Sequence, residues 1–128
     1  MDRYDTDVAP DAGEWLAIDE GERILLVERY HRDARVNIPK AARTLHASMH
    51  VVAENQLASN DEPVVRALTR LMQEGLSRHD AVHAIGSVVA EGFYNAVKHE
   101  DTPETVRARY YAAIERLTAA AWRDGSDD

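Results

Sequence analysis

The sequence predicts an all-α protein, folded as a compact bundle of about five helices. Apolar residues recur at intervals of three and four along most of the 128 residues. Capping signals and helix-breaking prolines or glycines separate these periodic segments from one another. The period-two alternation that is typical of strands does not appear over any length. A chain of this size is expected to form one domain, which we place at residues 14–124.

Composition narrows the classes of partner. The formal net charge is −8, and the basic residues form no concentrated patch along the sequence, so we predict no nucleic-acid or membrane partner. The chain contains no cysteine, which excludes disulfides and thiolate metal sites and fits a cytoplasmic location. No segment has the pattern of a signal peptide or the length of a membrane span.

The two ends of the chain are acidic and carry little apolar periodicity. Residues 1–13 contain four aspartates and a proline, and we predict a mobile lead-in there. Trp15, Leu16 and Ile18 then form an apolar patch that should anchor this segment to the body of the protein. Residues 125–128 are predicted to be a short acidic tail.

The first two predicted helices span residues 20–33 and 40–58. The first begins at the capping-box pattern Asp19-Glu-Gly-Glu22. Asn37-Ile-Pro39 ends it, because proline disfavours a helical conformation in the residue before it and suits the start of the next helix. The second helix should bury one arc of apolar residues: Leu45, Met49, Val52, Ala53 and Leu57.

Three further helices are predicted at residues 62–74, 78–98 and 101–123. Gly75 is placed to end the first of these, and Pro103 lies in the first turn of the last. Gly86 inside the central helix predicts a close approach of another helix or a ligand. The central helix should bury one stripe: Val82, Ile85, Val89, Phe93 and Ala96.

Two histidine pairs are the features that point to chemistry. His46 and His50 lie on the helix predicted at 40–58, and His79 and His83 lie at the start of the helix at 78–98. Spacing of four residues places two imidazoles on one face, one turn apart. If the two helices pack together, the pairs would offer four nitrogens to a divalent metal such as zinc or iron. Glu54, four residues after His50, is a candidate fifth ligand or a hydrogen-bond partner of a ligand.

Structural roles for the same residues remain open. Ser77 and Asp80 fit a capping box, in which Asp80 only closes the helix start. The run His-Asp-Ala-Val-His at 79–83 also resembles the zinc-hydrolase pattern H-E-x-x-H. Aspartate is one methylene shorter than the glutamate that acts as general base there, so a metal-dependent hydrolase ranks below simple metal binding.

A third histidine motif and an interaction surface complete the candidates. Glu28 and His31 form an E-x-x-H unit of the kind that di-iron bundles use, but it occurs once, and we predict a solvated glutamate and a surface histidine. The alternative to metal binding is a non-enzymatic interaction domain or homodimer. Its interface would be the last helix, with Tyr110 and Tyr111, or the patch at Trp15. The sequence favours a binding protein over an enzyme.

Three stretches, at residues 18–31, 45–56 and 71–91, resemble a small all-helical bacterial domain family. Its motif, His-Glu/Asp-Ala-x-His-Ala-Ile-Gly, is matched here by residues 79–86, with Asp80 where relatives often carry glutamate. The resemblance implies a helical architecture and a bacterial cytoplasmic setting. It implies no substrate and no activity.

Overall fold

Helices joined by short turns account for most of residues 1–126, the part of the chain that this computed structural model describes. Within those residues there is no strand, so the predicted all-α class is confirmed. None of the described helices combines the length and the hydropathy that crossing a bilayer requires. A 3₁₀ turn, Lys40–Ala42, precedes the third helix. The α-helices are α1 Ala12–Ala17, α2 Glu20–Asp33, α3 Arg43–Ala58, α4 Glu62–Gln73, α5 Arg78–His99, α6 Pro103–Arg116 and α7 Ala119–Ser126.

The predicted helix boundaries hold where the capping signal is local. Asp19 accepts a hydrogen bond from the Gly21 amide at the start of α2, and Ser77 accepts one from the Asp80 amide at the start of α5. The short helix α1, whose cap is Asp11, was not predicted. Side-chain oxygens at these positions satisfy amides that would otherwise lack a partner.

The last predicted helix, residues 101–123, is wrong as a single element, because it is split between α6 and α7. Leu117 adopts an extended conformation (φ −65°, ψ 129°) at the end of α6. Arg70 of α4 donates hydrogen bonds to the carbonyls of Ile114 and Leu117, both at 2.9 Å. A partner 44 residues or more away in sequence therefore stabilises the break, and local periodicity carries no sign of it.

Buried apolar residues form two clusters. The C-terminal core joins α3, α4, α5, α6 and α7, and its largest members are Leu71, Ile85 and Ile114. The N-terminal core is smaller, and its members are Tyr4, Trp15, Leu26, Val27, Ala47 and Val51. Tyr4 belongs to the segment predicted as a mobile lead-in, yet only 5 % of it is exposed. The packed body thus includes residues before 14.

The two helices that carry the histidine pairs, α3 and α5, pack closely together, as predicted. A Cβ added to Gly86 of α5 would lie 3.6 Å from the carbonyl oxygen of Met49 on α3, which is ordinary contact distance. The predicted apolar arcs are wrong in two places, since Leu45 is 59 % and Phe93 is 62 % exposed. The buried residues of α3 are Ala47, His50, Val51, Ala53 and Glu54, of which only Ala53 belongs to the predicted arc.

The predicted tail at 125–128 overlaps the end of α7, which continues to Ser126. Residues 127–128 lie outside the described part of the chain.

Candidate metal centre

Four histidines from three helices meet at one point in the interior. His31 comes from the last turn of α2, His46 and His50 from α3, and His83 from α5. One ring nitrogen from each lies within 4.8 Å of the others. The Nε2 atom of His46 is 3.0 Å from that of His83, and the Nε2 atom of His31 is 3.3 Å from both.

These separations match those of nitrogens bound to one metal ion. Tetrahedral zinc, with bonds of about 2.0–2.1 Å, holds its ligand nitrogens about 3.3–3.4 Å apart. An ion at that bond length from the three Nε2 atoms would lie about 0.9 Å from their plane. His50 completes the group, since one of its ring nitrogens lies within 4.8 Å of the ligand nitrogens of the other three.

A backbone contact within α2 sets the tautomer of His31. Its Nδ1 lies 2.8 Å from the backbone carbonyl of Val27, one turn earlier in α2. A carbonyl only accepts, so Nδ1 carries the proton and Nε2 presents a lone pair. Metal-bound histidines are commonly oriented in this way by a backbone carbonyl on the second nitrogen.

The triangle of Nε2 atoms cannot be satisfied by hydrogen bonds alone. Each neutral nitrogen is either a donor or an acceptor, so among three mutual neighbours at least two have the same role. Two lone pairs, or two N–H groups, then face each other at 3.0–3.3 Å. A cation that accepts all three lone pairs removes the conflict.

His50 is held by residues of the N-terminal segment. Its Nε2 lies 2.8 Å from the hydroxyl of Tyr4 and 2.7 Å from that of Thr6. Tyr4 donates its own proton to Glu54, so its oxygen accepts from His50, and Nε2 carries the hydrogen. The other nitrogen, Nδ1, is buried without a partner among the described residues. That unpaired lone pair makes Nδ1 the available ligand atom.

Glu54 is fully buried, and Arg78 holds it by two hydrogen bonds of 2.8 and 2.9 Å. Arg78 also donates to the carbonyl of Thr6 at 2.8 Å. The structure therefore uses Glu54, which the sequence offered as a candidate ligand, as an acceptor for Arg78 and Tyr4. Its contribution is to orient His50 through Tyr4.

His79 lies beside the group of four but not in it. Its Nδ1 is 3.2 Å from the hydroxyl of Tyr30, and its backbone amide donates to Asp7. Its ring centroid is 4.4 Å from that of His83. The structure thus brings together His83 and the α3 pair with His31, and leaves His79 at the edge.

Burial keeps the cluster neutral. Desolvation, followed by the charges of neighbouring histidines, lowers the pKa of His46 to about 4 and that of His83 to about 3. Desolvation likewise lowers the pKa of His31 and, most strongly, that of His50. Neutral imidazole is the form that binds metals, so the lone pairs are available at neutral pH.

The prediction that His31 is a surface residue is wrong, since it is 4 % exposed. A signal was present in the sequence: His31 follows Val27 by four residues and Ile24 by seven, so all three share one face of α2. No such signal was present for Tyr4, Thr6 and Arg78. Their roles depend on contacts with residues that lie 24 to 72 positions away in the sequence.

In comparisons with known proteins, no family model, curated protein or solved structure matches this chain. The resemblance to a bacterial helical family, and the cytoplasmic setting that it implies, stay predictions.

Proposed function

We propose that this protein binds one divalent metal ion through His31, His46, His50 and His83. The observation that carries the proposal is the triangle of Nε2 atoms, 3.0–3.3 Å apart, with a ring nitrogen of His50 within 4.8 Å of the other ligand nitrogens. The Nδ1 atom of His50 is, in addition, buried without a hydrogen-bond partner among the described residues. Buried polar atoms without partners are rare in folded proteins and call for an explanation such as an ion.

Zinc is the first metal to test. The donors are neutral imidazoles with no thiolate among them, and such a set suits zinc, with iron, copper and nickel as competitors. A cleft of about 660 Å³, lined in part by His46, His50 and His83, lets an ion reach the site from solvent. If His50 remains outside bonding distance, three histidines with an open position result, as in catalytic zinc sites.

The test is metal content and zinc titration of untagged protein. Elemental analysis and calorimetry should show one equivalent for the wild type and a large loss for His83→Ala. His99→Ala is the matched control, because His99 lies exposed in the last turn of α5, outside the cluster. Equal zinc binding by wild type and His83→Ala would refute the proposal.

The geometry gives a metal-dependent hydrolase less support. The H-E-x-x-H mechanism needs both histidines of 79–83 on the metal, whereas His79 is outside the group of four. Asp80 lies at the capped start of α5, where its amide donates to Ser77. Asp80→Glu should therefore leave any hydrolysis of an ester substrate at the background rate.

A protein-interaction domain is the second candidate, favoured by an exposed apolar face at the end of α5. Phe93, Tyr94 and Val97 are each more than 60 % exposed. The interfaces named from sequence are less available, since Trp15 is fully buried and Tyr110 donates to Gln56. Light scattering across a wide concentration range tests the homodimer. Phe93→Ser should shift any dimer toward monomer, and a strictly monomeric wild type would remove this version.

A further inference from the structure

A second cleft, of about 350 Å³, also borders the proposed metal site. Its lining is largely polar, whereas that of the larger cleft is mainly apolar. Its wall includes His31 and His46, two of the proposed ligands. The remainder includes three arginines, Arg32, Arg35 and Arg43. The volume lies in the range of small-molecule sites.

The charge of this cleft is opposite to that of the whole protein. Three guanidinium groups against the one carboxylate in the lining, Glu28, give a formal charge of +2, whereas the chain carries −8. Among residues 1–126, the one recorded ion pair of these arginines is Arg32 with Asp33, at 3.9 Å. The guanidinium groups thus keep donors available to a ligand. An anion would be concentrated locally by this field.

We infer that this cleft binds the phosphate group of a small molecule, held by Arg32, Arg35 and Arg43 beside the metal ion. The inference rests on the proposed metal site for the second half of that statement. One guanidinium satisfies a carboxylate with two parallel hydrogen bonds, whereas three suit the greater number of oxygens and higher charge of phosphate. His31 and His46 lie in the same wall, so a phosphate bound in this cleft would lie next to two of the proposed metal ligands.

The backbone offers a variant that removes a guanidinium without threatening the fold. Arg35 has φ +58°, the left-handed conformation that ends α2, while the Val36 amide donates to the His31 carbonyl at 2.9 Å. Glycine adopts that conformation without steric cost. Arg35→Gly should therefore preserve or raise stability while it removes one phosphate donor.

The experiment is calorimetric titration of the zinc-loaded protein with inorganic phosphate. The double variant Arg35→Gly/Arg43→Gln should bind phosphate at least about tenfold more weakly, because it loses two charge-assisted contacts. Its zinc affinity should match that of the wild type. Arg29→Gln is the control, since Arg29 is exposed on the same helix but does not line this cleft. Acetate should compete poorly with phosphate.

Separate zinc and phosphate titrations distinguish the two ideas. If the protein binds zinc but no phosphate, the phosphate site alone is overturned. The same follows if the double variant binds phosphate as tightly as the wild type. Equal competition by acetate would overturn the assignment to phosphate. Arginine-dependent phosphate binding by a protein that takes up no zinc would overturn the metal site and leave the anion site standing.

Discussion

The C-terminal core and the candidate metal centre share helix α5 but are built from different chemistry. The core takes Val82 and Ile85 from α5 and surrounds them with aliphatic residues. The centre takes His83 and Arg78 from the same helix and surrounds them with polar side chains, including the fully buried Glu54. Apolar burial stabilises by removing area from water, whereas buried polar groups stabilise only when each finds a partner. The stability of the centre therefore depends on whether each of its buried polar groups has a hydrogen-bond or ionic partner.

The largest expected effect comes from breaking the buried ion pair that supports this centre. Arg78→Met removes the ion-pair partner of Glu54 and the two hydrogen bonds that Arg78 donates to it, which should cost about 3–5 kcal/mol in the free energy of unfolding. Urea denaturation measures it. The control is Arg66→Met, whose ion pairs with Glu62 and Glu115 are exposed and worth about 0–1 kcal/mol. A loss below about 1 kcal/mol for Arg78→Met would show that the pair is not a supporting element.

Replacing a ligand should have opposite consequences with and without metal. His46→Leu removes one of the three Nε2 atoms that cannot all be paired by hydrogen bonds. The metal-free variant should therefore be as stable as the wild type or more stable. Zinc at 100 times its Kd should stabilise the wild type by about 2.7 kcal/mol and leave the variant nearly unchanged. Thermal unfolding of both proteins, with and without zinc, measures this. Equal stabilisation of the two by zinc would contradict the assignment of His46.

A smaller effect should follow from loosening the support of His50. Tyr4→Phe removes the hydroxyl that accepts from Nε2, so the tautomer with a free Nδ1 is less favoured, and zinc affinity should fall about 10–100-fold. Tyr94→Phe, at a tyrosine that is 64 % exposed, is the matched control. Zinc affinities of Tyr4→Phe and wild type that agree within about twofold would show that Tyr4 does not support metal binding by His50.

The smallest expected effect is the change in the stability of the metal-free protein for each unit of pH. The pKa of His46 is lowered to about 4 and that of His83 to about 3, whereas the unfolded chain protonates both near 6.5. The unfolded state then binds more protons between these values, so stability falls as pH drops below 6.5. Each such histidine contributes about 1.4 kcal/mol per pH unit. Urea midpoints against pH should show a shallower slope for His46→Leu, and identical slopes would contradict this origin.

Features of this structure that depend on neighbouring residues could be predicted from the sequence. Features that depend on contacts between distant residues could not. Caps at Asp19 and Ser77 set helix ends correctly because the donor and acceptor lie within three residues. Three of the four clustered histidines were candidates because spacing of four reports a shared helix face. The role of Glu54 could not be read from spacing, since it is decided by Arg78 and Tyr4, which approach from 24 and 50 residues away.

X-ray absorption spectroscopy of the zinc-loaded, untagged protein shows which atoms bind the metal. We expect a shell of three or four nitrogen neighbours at about 2.0–2.1 Å, with the outer scattering of imidazole rings. His83→Ala should lose one imidazole from that shell, and His99→Ala should not change it. A zinc shell of oxygen alone, or a spectrum that His83→Ala leaves unaltered, would contradict a metal centre at these four histidines.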